Sequence, residues 1–169
     1  MARPFDVSAE ASAEVDAVFA AFARKDYWLA RLAAYGGDSM TLDSLTVAPD
    51  GSVVVQTTQD LRQDMLPGQL GRMLPGDTSI TRRESWRRGT DAGEVHGEFH
   101  ITARGVPSSG SGTMVLQAIP AGSRLRVRGT VEVKIPLVGG RIESYVADLI
   151  AKDVPQMQQF TADWIAGEA

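Results

Sequence analysis

An alternating strand followed directly by a long amphipathic helix is the sequence feature that most constrains how this chain can fold. Every second residue from Leu125 to Ile135 is apolar or glycine, and the residues between them are polar or charged. This period of two predicts a strand with one buried and one solvated face. Residues 136–140 contain proline and glycine and end the strand. Apolar residues then recur at helical spacing over residues 141–165.

The terminal helix is predicted to bury one continuous stripe. A strand rises about 3.3 Å per residue and a helix about 1.5 Å per residue. The strand over 124–135 and the helix are therefore each roughly 40 Å long. The helix buries its stripe most economically across the apolar face of the sheet, and a curved sheet that grips a helix tends to enclose an apolar space. We also expect a kink at Pro155, which removes the hydrogen bond to the carbonyl of Ala151. The apolar positions of the stripe are Ile142, Val146, Leu149, Ile150, Val154, Met157, Phe160 and Trp164.

The remainder of the chain predicts a strand, two short helices and five further strands. The first strand covers residues 4–7, Ser12 caps the first helix, and the second helix ends at Gly36 and Gly37. The short connections between the later strands favour an antiparallel meander, and the lack of a long linker predicts a single domain over residues 1–169. Turn residues separate these later strands, which are predicted at 39–48, 52–60, 78–87, 94–102 and 112–119.

Composition excludes several classes of function. With 17 basic and 21 acidic residues the net charge is −4 at pH 7, which disfavours nucleic acid as a partner. The chain has no cysteine, so disulfides, thiolate catalysis and cysteine-based metal sites are excluded. Asp6 and Glu10 stand where a signal peptide would carry an apolar run, and the longest apolar stretch, residues 17–23, is too short to cross a membrane. We therefore expect a cytoplasmic protein with no stable membrane insertion; its oligomeric state is not predicted.

The order of elements and several short motifs resemble the helix-grip fold of the START-like superfamily. The motifs are residues 5–7 with 12–15, residues 26–28, and the turn over 134–140 into the terminal helix. That superfamily includes pollen allergens, lipid-transfer START domains and polyketide cyclases, and the chain looks like a bacterial branch of it. The resemblance implies an α+β fold: a curved antiparallel sheet of about seven strands wraps around a long C-terminal helix, with two short helices after the first strand. It also implies a hydrophobic or amphipathic small-molecule ligand and no common set of catalytic residues.

The predicted ligand-binding residues point from the sheet and the terminal helix into the space between them. Gly129 interrupts the apolar face of its strand and is expected to leave room there for a ligand. On this hypothesis Gly129→Leu blocks the uptake of an apolar fluorescent probe without a large fall in melting temperature. The other predicted lining residues are Trp86, Phe99, Val127, Val131, Val133, Val146, Ile150 and Met157.

The strand predicted at 78–87 places charged residues on the buried face. If Ile80 and Trp86 point inward, strict alternation turns Arg82 and Glu84 inward as well. A buried arginine and carboxylate must pair with each other or meet a polar group of a ligand, because an unpaired buried charge is costly. This pattern indicates a polar anchor in an otherwise apolar cavity. The alternative is a bulge or an edge where the sheet opens to water.

Residues 64–76 form a segment rich in methionine, leucine, glycine and proline. Its glycines and prolines prevent a long helix, and methionine makes adaptable apolar contacts. The segment is predicted either to act as a lid over the mouth of the pocket or to plug the end of the core. A third hypothesis makes it the docking surface of a protein-interaction module. The predicted lid residues are Met65, Leu66, Leu70, Met73 and Leu74.

The two histidines do not indicate a metal or catalytic site. His96 and His100 share the outer face of one predicted strand with Glu94 and Glu98. Four residues along a strand separate them by roughly 13 Å, which is too far for both to bind one metal ion. A solvated charge ladder with the arginines of 82–88 or 124–128 is expected instead. No nucleophile elbow or phosphate-binding loop is present, so we predict no metal, no cofactor and no catalytic residue.

The sequence therefore favours binding or transport of an apolar or amphipathic small molecule, lipid-like or polyketide-like, in an internal cavity. A cyclase- or hydrolase-like enzyme and an interaction module are the alternatives. An enzyme requires at least two titratable groups that converge inside the cavity, whereas a carrier requires none. An interaction module is compatible with a filled core.

Overall fold

The computed structural model describes residues 2–61, 72 and 77–167. Within these residues, seven strands and three α-helices follow one another in the predicted order. A 3₁₀ turn over Gly37–Ser39 joins the second helix to the second strand. The elements are β1 (Arg3–Ala11), α1 (Val15–Phe22), α2 (Lys25–Tyr35), β2 (Met40–Val47), β3 (Val53–Asp60), β4 (Ser79–Arg88), β5 (Glu94–Arg104), β6 (Ser108–Ile119), β7 (Gly122–Val133) and α3 (Gly139–Ala166).

The seven strands form one antiparallel sheet in the order β1-β7-β6-β5-β4-β3-β2. Strands β2 to β7 are consecutive neighbours, which confirms the predicted meander. Strand β1 pairs with β7, so α1 and α2 connect the two edge strands, β1 and β2, at opposite sides of the sheet. Helix α3 packs against β1 and β7 and also contacts α1 and α2. This is the predicted α+β helix-grip architecture.

Strand β7 shows the alternation that the sequence predicts. Leu125, Val127 and Val131 are buried, and the arginines between them are exposed. The strand ends at Val133 rather than at Ile135. Its register with β6 stops where Val133 lies opposite Ser108, and the backbone N–H of Lys134 then donates a 2.8 Å hydrogen bond to the carbonyl oxygen of Pro107 in the turn before β6.

The first strand is longer than predicted, and its extent depends on its partner. Nine residues of β1 pair with β7, from Arg3 opposite Val131 to Ala11 opposite Ser123. Because β1 continues to Ala11, residues 12–14 form the turn into α1. The predicted cap at Ser12 is therefore wrong: the residue before α1 is Glu14, and it makes no side-chain capping hydrogen bond.

Strand β6 also starts earlier than predicted, at Ser108 instead of residue 112. The glycines and serines of this stretch look like a turn in the sequence, but they pair with both β5 and β7. Glycine is required at residue 112, since a Cβ there would lie 2.0 Å from the carbonyl oxygen of Arg128 on β7. The close approach of the strands, rather than a reversal of the chain, explains the small residues.

Helix α3 runs without interruption from Gly139 to Ala166 and includes Pro155, which is exposed. Its N-terminal part is tied to the sheet, because the buried Glu143 carboxylate accepts a 2.8 Å hydrogen bond from the backbone N–H of Val133. Its C-terminal part is tied to α2 by a 2.7 Å hydrogen bond between Tyr27 and Thr161. Within the described part of the chain, no helix combines the length and apolar character needed to cross a membrane.

Candidate functional site

A cavity of about 230 Å³ lies between the inner face of the sheet and the first half of α3. Strands β3 to β7 and Phe5 of β1 form its floor, and Ile142, Tyr145, Val146, Leu149 and Ile150 of α3 form its roof. Its wall is mostly apolar and includes short side chains such as Ala103 and Val106.

Five of the predicted ligand-binding residues line this cavity. They come from β5, β7 and α3, and they meet because α3 packs against the inner face of the sheet. They are Phe99, Val131, Val133, Val146 and Ile150.

A second, smaller cavity of about 70 Å³ adjoins the first, and several polar side chains line it together with apolar ones. The two cavities have Phe5, Phe99, Ile101 and Ile150 in common, so these side chains form the boundary between them. Five more of the predicted residues line this second cavity, which we call the polar pocket. They are Arg82, Glu84, Trp86, Val127 and Met157.

Strand β4 has the phase that turns Arg82 and Glu84 inward. Trp86 and Glu84 are 2% and 3% exposed, and Arg82 Nε lies 2.6 Å from Glu84 Oε1. The other carboxylate oxygen, Oε2, accepts a 3.1 Å hydrogen bond from Trp86 Nε1. Burial raises the pKa of Glu84, but the positive charges of Arg82 and Arg31 and these contacts outweigh it, so the pKa lies below its ordinary value. The inward orientation of Arg82 and Glu84 is therefore observed, and their role as a polar anchor for a ligand stays a prediction.

Two charged residues that the sequence did not single out complete the polar pocket. Arg31 of α2 lies with its guanidinium carbon 4.9 Å from the ring centre of Trp28, and its Nη2 lies 2.9 Å from Met157 Sδ. Asp153 of α3 lines the same pocket. Burial raises the pKa of Asp153, and Arg82 opposes part of that effect. Neither residue belongs to a recognisable motif, because the two helices that carry them, α2 and α3, meet only in the fold.

Helix α3 presents polar side chains on the face that was predicted to be apolar. Gln158 and Thr161 are both 2% exposed. Thr161 donates to the carbonyl oxygen of Met157 and contacts Tyr27, but Gln158 Nε2 has no hydrogen-bond partner among the described residues. The sequence contains a signal for both, since they follow the buried Val154 by four and seven residues and therefore lie on its face of the helix.

The structure contradicts the role predicted for Gly129. A Cβ at this position would lie 2.3 Å from the carbonyl oxygen of Ser111 and about 3 Å from the rings of Phe5 and Phe99. The space beside the glycine is filled by these two rings, so Gly129 lines neither cavity described above. Gly129→Leu would therefore clash with the sheet instead of filling a ligand site.

The histidines lie on the outer part of β5, and their surroundings differ in part from the prediction. His96 Nε2 is 3.0 Å from Glu94 Oε2 and lies opposite Arg87, while His100 lies opposite Arg83. Pairing with the arginines of 124–128 does not occur, because β6 separates β5 from β7. Those arginines instead face β1, where Arg126 and Arg124 contact Asp6 and Glu10 at 2.7 and 2.6 Å.

The predicted lid residues Met65, Leu66, Leu70, Met73 and Leu74 lie outside the described residues.

Comparison with known proteins places the chain in a family. Residues 6–165 match the model of a family described as a protein of unknown function, DUF2505. The chain belongs to this family. It is 36% identical to the Mycobacterium tuberculosis protein Rv0481c over 174 aligned positions that cover 98% of each chain. A Mycobacterium bovis protein, Mb0491c, matches to the same extent.

Solved structures of much lower sequence identity share the fold. Ara h 8.0201 superimposes with a TM-score of 0.55 at 13% identity, over 99% of each chain. Norcoclaurine synthase from Thalictrum flavum gives a TM-score of 0.52 at 13% identity, over 100% of this chain and 89% of the synthase. These similarities confirm the helix-grip fold and the resemblance to pollen-allergen-like proteins that the order of elements predicts.

Proposed function

We propose that this protein binds an apolar or amphipathic small molecule in the cavity between the sheet and α3. The observation that carries the proposal is the apolar cavity of about 230 Å³. Ligand sites are concave, mostly apolar and supplied with a few polar groups that orient the ligand. The cavity together with the adjoining polar pocket has this character.

The energetic cost of such a cavity also supports a ligand. Enclosed cavity volume costs about 24 cal/mol per Å³, so a fully enclosed space of 230 Å³ would cost at most about 5.5 kcal/mol. Larger side chains at Ala103, Val106 or Gly110 would reduce that cost, yet the chain carries small residues there. A bound molecule restores the lost van der Waals contacts and offsets the cost.

A structural neighbour supports the choice of ligand class. The norcoclaurine synthase structure contains dopamine and hydroxybenzaldehyde, which are small aromatic molecules. The same fold therefore accommodates molecules of a size that the cavity described above can hold. We prefer small-molecule binding to a role as a protein-interaction module, because an interaction module would not need an internal cavity.

The proposal is tested by filling the cavity from the helix side. Val146→Phe replaces a small side chain of the cavity wall with an aromatic ring that occupies part of the space. We therefore expect it to weaken the binding of the neutral apolar dye N-phenyl-1-naphthylamine about tenfold or more. The melting temperature should stay the same or rise, since the ring replaces empty volume. Ala151→Phe adds the same ring on the exposed side of α3 and is the matched control. Dye fluorescence titration and native mass spectrometry of the purified protein measure the outcome. Equal dye binding by both variants and the wild type would contradict the proposal.

An enzyme remains the second candidate, and Asp153 is the observation in its favour. Titratable groups converge in the polar pocket, and a carboxyl group whose pKa is raised by burial can exchange a proton nearer neutral pH. Glu84 is less suited to this role, since Arg82 and Trp86 hold it as a carboxylate. Mass spectrometry of molecules recovered after incubation with the protein distinguishes the two functions. A carrier returns them unchanged, whereas an enzyme returns a product whose formation requires Asp153.

A further inference from the structure

We infer that the polar pocket selects a ligand whose apolar body ends in a carboxylate. This inference rests on the proposed function, because it assigns the chemical class of the molecule that the cavity binds. The hydrogen-bond donors that line the pocket are not all paired with acceptors of the described residues.

Gln158 is the first indication of a missing acceptor. The side chain is 2% exposed, and its amide nitrogen has no partner among the described residues. A buried donor that is left unpaired costs about 1–3 kcal/mol, so such groups are rare outside functional sites. An oxygen atom of a ligand in the polar pocket, which Gln158 lines, would accept this hydrogen bond.

The two arginines of the pocket increase the excess of donors. Arg31 contacts the weakly accepting Met157 Sδ and, at 3.5 Å, the hydroxyl of Tyr27. Arg82 forms an ion pair with Glu84, and no other ion pair of Arg82 occurs in the part of the chain that the structure describes. Both oxygens of Glu84 are already engaged, one by Arg82 and the other by Trp86. The guanidinium groups therefore have donor capacity that Glu84 does not satisfy.

An ammonium, a hydroxyl and a carboxylate group differ in how well they would pair with the donors of the polar pocket. An ammonium group carries only donors and would face Gln158 and two arginines. A hydroxyl group offers two acceptor lone pairs on a single oxygen, whereas a carboxylate offers about four lone-pair sites on two oxygens and the charge that arginine prefers. Asp153 is the one further carboxyl group that lines the pocket among the described residues. Its raised pKa favours the protonated form when a second carboxylate approaches.

The arrangement of the two cavities sets the orientation of such a ligand. Phe5, Phe99, Ile101 and Ile150 line both cavities, so the apolar body can occupy the larger one while the carboxylate reaches the smaller one. The ring of Phe99 lies 5.4 Å below the guanidinium carbon of Arg82. It therefore marks the point at which the wall changes from apolar to charged.

Three probes of equal chain length test the inference: decanoate, decan-1-ol and decylamine. We expect isothermal titration calorimetry with the wild-type protein to show binding of decanoate at least tenfold tighter than binding of decan-1-ol, and the weakest binding for decylamine. Gln158→Leu should weaken decanoate binding about tenfold and reduce the ratio between acid and alcohol. Its melting temperature should not fall, because the substitution removes an unpartnered buried amide. Gln159→Leu is the matched control, since the neighbouring glutamine is exposed and bonds to Asp163.

A second variant keeps the test decisive if Gln158→Leu folds poorly. Gln158→Glu replaces the donor with an acceptor and should shift the preference from decanoate towards decylamine. Equal binding of all three probes by the wild-type protein would overturn the carboxylate inference and leave the proposed function intact. The same holds if no probe binds while N-phenyl-1-naphthylamine does. If the dye does not bind either, the proposed function fails as well.

Discussion

At the scale of residues, one row across the sheet explains why two cavities exist instead of one. Phe5 lies opposite Gly129, Gly129 opposite Gly112, Gly112 opposite Phe99, and Phe99 opposite Glu84. The two glycines have no side chains, so the rings of Phe5 and Phe99 close over them and stack with their centres 6.0 Å apart. This pair of rings forms the boundary between the larger apolar cavity and the polar pocket.

Substitution of Gly129 tests this packing. Gly129→Ala should lower the free energy of unfolding by about 2 kcal/mol or more, because its Cβ would lie 2.3 Å from the backbone oxygen of Ser111 and overpacking of this kind costs about 1–3 kcal/mol. Gly140→Ala is the control, since a Cβ there meets nothing within 4 Å. Urea denaturation of both variants gives the comparison. Equal stabilities would show that the sheet relaxes around the added methyl group.

The buried carboxylate of Glu84 predicts a specific dependence of stability on pH. Its pKa in the folded protein lies below the ordinary value of 4.5, so the unfolded chain binds the proton more tightly. Glu84 therefore adds stability that is fully present above pH 4.5 and is lost as the pH falls through the lower, folded pKa. Asp153 acts in the opposite sense, because burial raises its pKa and its stabilising effect is lost as the pH rises through that value.

Glu84→Gln isolates the contribution of Glu84. The variant should be less stable than the wild type at pH 7, because Arg82 loses its charged partner, and its stability should fall less steeply between pH 5 and about pH 2. Glu98→Gln changes an exposed carboxylate on β5 and serves as the control. Denaturation at a series of pH values measures the effect. Parallel curves for Glu84→Gln and the wild type would contradict the prediction.

At the scale of elements, α3 has a different role in each half. Its first half covers the larger cavity through Ile142, Val146 and Ile150. Its second half belongs to the core, where Val154 and Ala162 are buried and Phe160 and Trp164 pack against the main cluster. The polar residues Gln158 and Thr161 lie within this second half. The helix is therefore both a wall of the site and a structural element.

Removal of α3 should abolish cooperative folding. Burial of one large apolar side chain is worth about 1.5–3 kcal/mol, and several such side chains from one helix approach the total stability of a domain, about 5–15 kcal/mol. We expect residues 1–140 to show no cooperative thermal transition in circular dichroism. A chain of residues 1–167, which retains α3, should melt as the full chain does. A cooperative transition of the shorter chain would show that the sheet is stable without its helix.

At the scale of the whole molecule, the sheet separates two kinds of surface. On the outer face, Arg124 and Arg126 of β7 pair with Glu10 and Asp6 of β1, which balances the charges of the exposed strands. On the inner face, α1, α2 and α3 cover the sheet without filling the space above it. The cavity is a property of this arrangement, since its wall combines strands β3 to β7 with one side of α3.

Local sequence patterns predicted the order of the elements and the buried faces of β7 and α3, because alternation and helical spacing depend on local geometry. For β4 the pattern left two possibilities open, an inward phase or a bulge, and the structure shows the phase in which Arg82 and Glu84 point inward. The limits of β1 and β6 could not be predicted, because both strands extend as far as their partners allow. Local propensity does not contain that information.

The set of residues that form the site, and the position of the empty volume beside them, depend on contacts between distant elements. Arg31, Asp153 and Gln158 lie on two helices that are more than 100 residues apart in the chain, and they line one pocket because α2 and α3 meet there. Gly129 shows the reverse case: a missing side chain suggested space, but rings from two other strands occupy it. Periodicity reports which side of an element is buried, whereas empty volume and unpaired donors depend on the distances between elements.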